Sequence, residues 1–196
     1  ERPTVRRLGL RYGILKRDSD GNYTEVDPSG IFDAGDTLRL TVEVNQPGFL
    51  TILKRDPNVG WIVLFPTAAA RGGESKGIEA RVAGGARYVV PLTEAPGRGD
   101  QRGEPQAILL FSRKPQPDLD QILPSGKRSE TRGGMYAVSI DEFMGRARNQ
   151  ASGRPLLMEK VVGAPGGGSQ ERAVYVVNAG SDPEPLVFVE VIVSQR

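Results

Sequence analysis

Apolar and polar residues alternate with a period of two along much of the chain, the spacing of a strand with one buried face. The clearest case spans 37–44: Leu38, Leu40, Val42 and Val44 share one side, and Thr37, Arg39, Thr41 and Glu43 the other. That pattern predicts a half-buried strand of an antiparallel sheet. Pro47-Gly48 then turns the chain into Phe49 to Leu53, and Asn58-Val59-Gly60 turns it again into Trp61 to Phe65, so the punctuation predicts a meander. Upstream, Leu8 to Lys16 reads as a strand that Asp20-Gly21 folds back into Tyr23 to Val26, a hairpin. Ile78 to Val82 and Tyr88 to Val90 predict two further short strands.

Other segments are apolar without alternation. Ala107 to Phe111 is nearly all apolar, which predicts a central strand covered on both faces. Ala173 to Val177 and Leu186 to Val193 are rich in valine. The last segment is apolar on both faces, which ill suits an exposed edge strand and predicts cover on both sides. Helical signals come from Asp118 to Leu123, stopped by Pro124, and from Ser139-Ile140-Asp141-Glu142, a capping box. The second helix is predicted to run to about Asn149 with Phe143 and Ala147 on one side. The low-complexity stretch Gly163 to Gly168 separates this helix and a strand at 155–162 from the last two strands. The predicted fold is all-β, mainly an antiparallel β-sandwich, with one or two short helices in the C-terminal half. We expect one domain over 1–196: an N-terminal hairpin (1–30), a core (31–115), and a C-terminal part (116–196) with a helical insertion and the last strands.

Composition supports that picture and narrows the chemistry. A chain of 196 residues is long enough to bury a core without disulfides. Its 25 glycines and 15 prolines suit many short strands joined by turns. There are no cysteines and no histidines. Thiolate catalysis, Ser-His triads, imidazole metal ligands and cysteine-based metal sites are therefore excluded. What remains is carboxylate, Lys, Tyr, Ser or Thr chemistry, or a cation held by oxygens. The net charge is +2, with no run of Lys and Arg interleaved with aromatics, so no nucleic-acid partner is expected. No apolar stretch is long enough to predict a membrane span. The chain starts at Glu1 and not at Met, from which we expect a removed leader and a secreted protein, extracellular or periplasmic.

The candidate motifs are weak. Asp18-Ser19-Asp20-Gly21-Asn22 looks like the start of a calcium loop, but Tyr23 stands where a glycine is needed and Ser29 where a bidentate Glu is needed. A polar turn explains it better. Arg98-Gly99-Asp100 is readily a chance tripeptide in a chain rich in Arg and Gly. Gly163 to Gly168 lacks the Lys-Ser or Lys-Thr of a phosphate loop, and Gly126-Lys127 is followed by Arg128. The carboxylate pairs Asp118/Asp120 and Asp141/Glu142 sit in helical turns. At the second, the helix dipole already favours negative charge. No catalytic, cofactor-binding or metal-ligating residue is expected. Trp61 lies in an apolar strand and reads as core before it reads as a binding residue.

A resemblance adds to this reading. Ile31-Phe32-Asp33-Ala34-Gly35-Asp36-Thr37-Leu38-Arg39-Leu40, Pro47 to Leu53, Leu64-Phe65-Pro66, Tyr88-Val89-Val90-Pro91, and Gly103-Glu104 followed by Ala107 to Pro115 appear in that order. Residues 31–115 thereby resemble the bacterial domain of unknown function 4384. The resemblance implies a β-rich accessory domain of exported or envelope-associated bacterial proteins, with no known catalytic residues.

We therefore expect a non-catalytic structural or interaction protein that associates with copies of itself, extending to extracellular fibres, by strand addition. The strands expected to exchange carry Leu8, Leu10, Tyr12 and Ile14 at one end and Val187, Val189, Val191 and Val193 at the other. A first alternative is a carbohydrate- or peptidoglycan-binding domain that stacks a cell-envelope glycan on Tyr12, Tyr23, Trp61 and Tyr136. A second is a hydrolase using Asp118, Asp120 or Glu142.

Overall fold

The computed structural model describes residues 7–33, 35–56, 60–66, 80–92, 105–116, 142–149, 156–162, 172–178, 180 and 185–195. In chain order the strands are β1 (Gly9–Arg17), β2 (Tyr23–Val26), β3 (Ile31–Phe32), β4 (Leu38–Val44), β5 (Gly48–Asp56), β6 (Gly60–Phe65) and β7 (Ala80–Val82). They continue as β8 (Arg87–Pro91), β9 (Ala107–Ser112), β10 (Leu156–Val162), β11 (Arg172–Asn178), β12 (Leu186–Val191) and β13 (Ser194–Gln195). Among the described residues there is one helix, α1, spanning 142–149.

Two antiparallel sheets make the sandwich. The first has the order β10-β11-β1-β4-β8, with β2 also on β1; the second has the order β12-β9-β5-β6, with β7 also on β5. A two-residue parallel pairing joins β13 to β3. The alternation at 38–44 has its predicted consequence: Leu38, Leu40, Val42 and Val44 are fully buried between the sheets, and Arg39 is exposed. They meet Leu10, Tyr12 and Ile14 of β1, Leu50 and Ile52 of β5, Leu109 and Phe111 of β9, and Val187, Val189 and Val191 of β12 in one core.

A second, smaller core lies on the far side of the second sheet. Leu53, Ile108, Leu110, Leu186 and Phe188 face outward there and are covered by Phe143, Met144 and Ala147 of α1. This explains two segments that are apolar on both faces. β9 lies between β12 and β5, with one side chain set in each core. Among the described residues β12 is an edge strand by hydrogen bonding, yet its valines face the sandwich interior and Leu186 and Phe188 face α1. An ion pair between Arg148 of α1 and Glu190 of β12 ties the helix down at its rim.

The first strand expected to exchange between copies, β1, has no free edge in this chain. The Arg17 amide donates to the Thr37 carbonyl (3.0 Å) and the Asn45 amide to the Gly9 carbonyl (3.1 Å). The odd-numbered residues of β1 therefore bond to β4. The Asn178 amide donates to the Leu8 carbonyl (2.8 Å), so the even-numbered residues bond to β11 and, beyond Gly13, to β2. Both edges of β1 are occupied within its own chain, because Leu8, Leu10, Tyr12 and Ile14 bury best in the middle of a sheet. Val187, Val189, Val191 and Val193 are likewise interior residues and not a face open to exchange.

Sequence pattern missed the short β3 and β13, whose two residues each carry no period. It also missed the bulge of β6 against Ile52 and Leu53, after which Leu64 and Phe65 both turn toward the main core while Trp61 and Val63 lean on the outer one.

Tyr12 has a measurable consequence. Burial pushes its phenol pKa above the ordinary value of about 10. In the unfolded chain the phenol ionises near its ordinary value while the folded one keeps its proton. This contribution is therefore present below about pH 10 and is lost as pH rises beyond it. Chemical denaturation of Tyr12→Phe should show a shallower loss of stability above pH 10 than the wild type; equal slopes would show that Tyr12 does not titrate differently in the two states.

Candidate interaction surface

Side-chain parity decides which residues lie on the outer face of the first sheet. Its outer face carries Arg11 from β1, Tyr23 and Glu25 from β2, Arg39, Thr41 and Glu43 from β4, Tyr175 from β11, and Arg87, Val89 and Pro91 from β8. An ion pair sits in the middle of it. Arg11 Nη2 donates to Glu25 Oε1 at 2.8 Å and to Oε2 at 3.1 Å, with side-chain exposures of 10% and 16%. The Glu25 carboxylate reaches Arg11 by lying over Gly13, where any Cβ would collide with it. Thr41 Oγ1 donates to the Gly13 carbonyl at 3.3 Å. Arg11 also lies 6.0 Å from the Tyr175 ring centre, and Arg39 stacks over Tyr23 at 3.9 Å, within cation–π range. This is a rigid, mixed-charge surface.

Removing either partner breaks an ion pair that both groups make while largely withdrawn from water. Glu25→Ala should cost roughly 2–3 kcal/mol, less than for a fully enclosed pair because both groups keep some water. Urea denaturation of Glu25→Ala and of Arg11→Met/Glu25→Leu separates pairing from packing. We expect the double variant to lose less than Glu25→Ala, and the opposite order would deny the pair its structural role.

The edge of this sheet is its second feature. The Leu92 amide donates to the Leu38 carbonyl at 3.0 Å. Alternation along the β4–β8 ladder then turns the backbone groups of Val90 and Tyr88 toward β4, and those of Arg87, Val89 and Pro91 away from it. Among the described residues no strand pairs with that outer side of β8. The side chains of Arg87, Val89 and Pro91 are exposed, and Val89 at 47% is among the large apolar residues most open to water. Tyr88 points inward and meets Phe65 with ring centres 4.9 Å apart.

The four aromatic residues proposed for glycan stacking do not form one site. Tyr12 is a core residue, 7% exposed, and this removes it from any ligand surface. Tyr23 lies on the outer face of the first sheet, whereas Trp61 leans on the outer core of the second. Tyr136 falls outside the described residues, as do Asp118, Asp120, Asp141, Arg98-Gly99-Asp100, Gly126 to Arg128, Gly163 to Gly168 and the predicted helix at 118–123. Glu142 is exposed at the start of α1. Asp18 caps its own turn, its Oδ1 accepting from the amides of Asp20 (3.0 Å) and Asn22 (2.8 Å). Among the described residues, no group of three or more carboxylates is placed to hold a metal ion, and no helix is long and apolar enough to cross a membrane. Sequence reading did not single out the Arg11–Glu25 pair or the β8 edge. The only local signal for the edge is Pro91, which cannot donate to a ladder.

In comparisons with family models, curated proteins and solved structures, nothing matches this chain.

Proposed function

We propose that this chain is a non-catalytic structural or interaction module that works outside the cytoplasm and assembles with other copies by strand addition. The observation that carries the reading is the exposed outer edge of β8, whose Arg87 and Val89 amides point away from their own sheet. Such an edge is a template for another strand, and backbone pairing gives affinity without a pocket. The absence of His and Cys from the sequence narrows the catalytic alternatives. The extracellular setting rests on the resemblance of residues 31–115. Sedimentation velocity and negative-stain microscopy of the purified chain test the assembly. The reading expects sedimentation to rise with concentration; a chain that stays monomeric to millimolar concentration, or one with a saturable hydrolase activity lost in Glu142→Gln, overturns it.

A further inference from the structure

Resting on that reading, we infer that the strand added to β8 is β8 of a second copy, antiparallel across a two-fold axis at Val89. Register restricts how two such edges can meet. Only Arg87, Val89 and Pro91 turn their backbone outward, so a second β8 can pair only odd residue with odd residue. With the axis at Val89, the two Val89 residues exchange amide-to-carbonyl bonds. Each Arg87 amide then donates to the Pro91 carbonyl of the second copy. Pro91 has no N–H, so each end of the pairing carries this one bond and leaves the Arg87 carbonyl to water. The pairing stops beyond Arg87, because the Gly85 amide already donates to the Val44 carbonyl at 2.7 Å.

Charge selects this register over its neighbour. An axis at Tyr88 would set Arg87 opposite Val89 and bring the two Arg87 side chains into diagonal contact, a like-charge pairing. The axis at Val89 sets them four residues apart, roughly 13 Å along the strand. Arg87 then packs its stem on Pro91 of the second copy while it stays beside Glu43 of its own β4. The exposed Val89 side chain covers its twin, flanked by Thr41 on each side. Arg87 and Pro91 are residues that usually blunt an edge; here the like charges of Arg87 disfavour the axis at Tyr88, and Pro91, with no N–H to donate, weakens the axis at Val90 that would set it opposite Val89. The contact is isologous, so it closes at a dimer and joins the two first sheets into one; a fibre would need a second contact.

The natural absence of cysteine makes the test clean. Val89→Cys and Arg87→Cys each introduce a single thiol at an exposed position. In the inferred register the Val89 positions are paired at disulfide distance and the Arg87 positions are not, so oxidation should cross-link Val89→Cys at least about tenfold faster than Arg87→Cys. Wild-type sedimentation should show a concentration-dependent dimer that the Val89→Lys variant loses. Equal cross-linking rates, or faster cross-linking at Arg87, with wild-type association intact overturn the register while strand addition stands. Association unchanged in Val89→Lys overturns the β8 contact. A wild-type chain that stays monomeric overturns both this inference and the reading beneath it.

Discussion

Deleting residues 1–16 will unfold the protein. The segment contains almost all of β1, which lies in the middle of the first sheet and is bonded to β4 on one side and to β11 and β2 on the other. Its loss removes Leu8, Leu10, Tyr12 and Ile14 from the core and strands the backbone groups of three neighbouring strands. Unmade buried hydrogen bonds cost on the order of 1–3 kcal/mol each, so a handful of them, added to the lost apolar burial, is enough to offset the roughly 5–15 kcal/mol by which a domain is usually stable. Far-ultraviolet circular dichroism of the truncated chain should show the strand signal lost and no cooperative thermal transition. A folded truncated monomer would mean that β1 is dispensable, as a strand donated to another subunit would be.

Phe111→Ala should be the most damaging single core substitution, at about 3–5 kcal/mol. Phe111 is fully buried on β9 and paired with Leu50 of β5 on one side and Val187 of β12 on the other. The backbone of β5 is shaped around it: a Cβ at Gly48 would lie 2.6 Å from Phe111 Cε2 and 2.6 Å from the Ser112 carbonyl oxygen. Glycine at 48 lets the strand approach the ring, so removing the ring leaves a cavity that the rigid strand pair cannot close. Guanidinium denaturation should show a lower midpoint at unchanged slope; a loss under about 1 kcal/mol would show that the site collapses freely.

Parity made much of this legible. The alternation in β4 follows from one face being buried, and the unbroken apolar run in β9 follows from two. β12 shows how far such signals reach. Its apolar faces announce cover on both sides, but they do not say that α1 supplies one cover and the first sheet the other. The reading of 187–193 as a strand awaiting another chain arose there. Neighbour choice was the hidden part. β1 takes its partners from residues 38–44 and 172–178, and nothing local in Leu8 to Lys16 encodes which segment will lie beside it. For the same reason Tyr12 and Tyr23, equal as residue types, separate into core and surface only once their strands are paired. The Arg11–Glu25 pair depends on a register match between β1 and β2 across Gly13, a contact visible only in three dimensions.

In the first sheet β1 is closed on both edges, while β8, on the other side of β4, is open on one among the described residues. Amide hydrogen exchange by NMR in dilute solution tests both at once. The account predicts slow exchange at Leu10, Tyr12, Ile14 and Lys16, which bond to β11 and β2, and at Arg11, Gly13 and Leu15, which bond to β4. In β8 it predicts slow exchange at Tyr88 and Val90 and fast exchange at Arg87 and Val89. Protection of Val89 equal to that of Val90, or fast exchange confined to the even-numbered residues of β1, would contradict it.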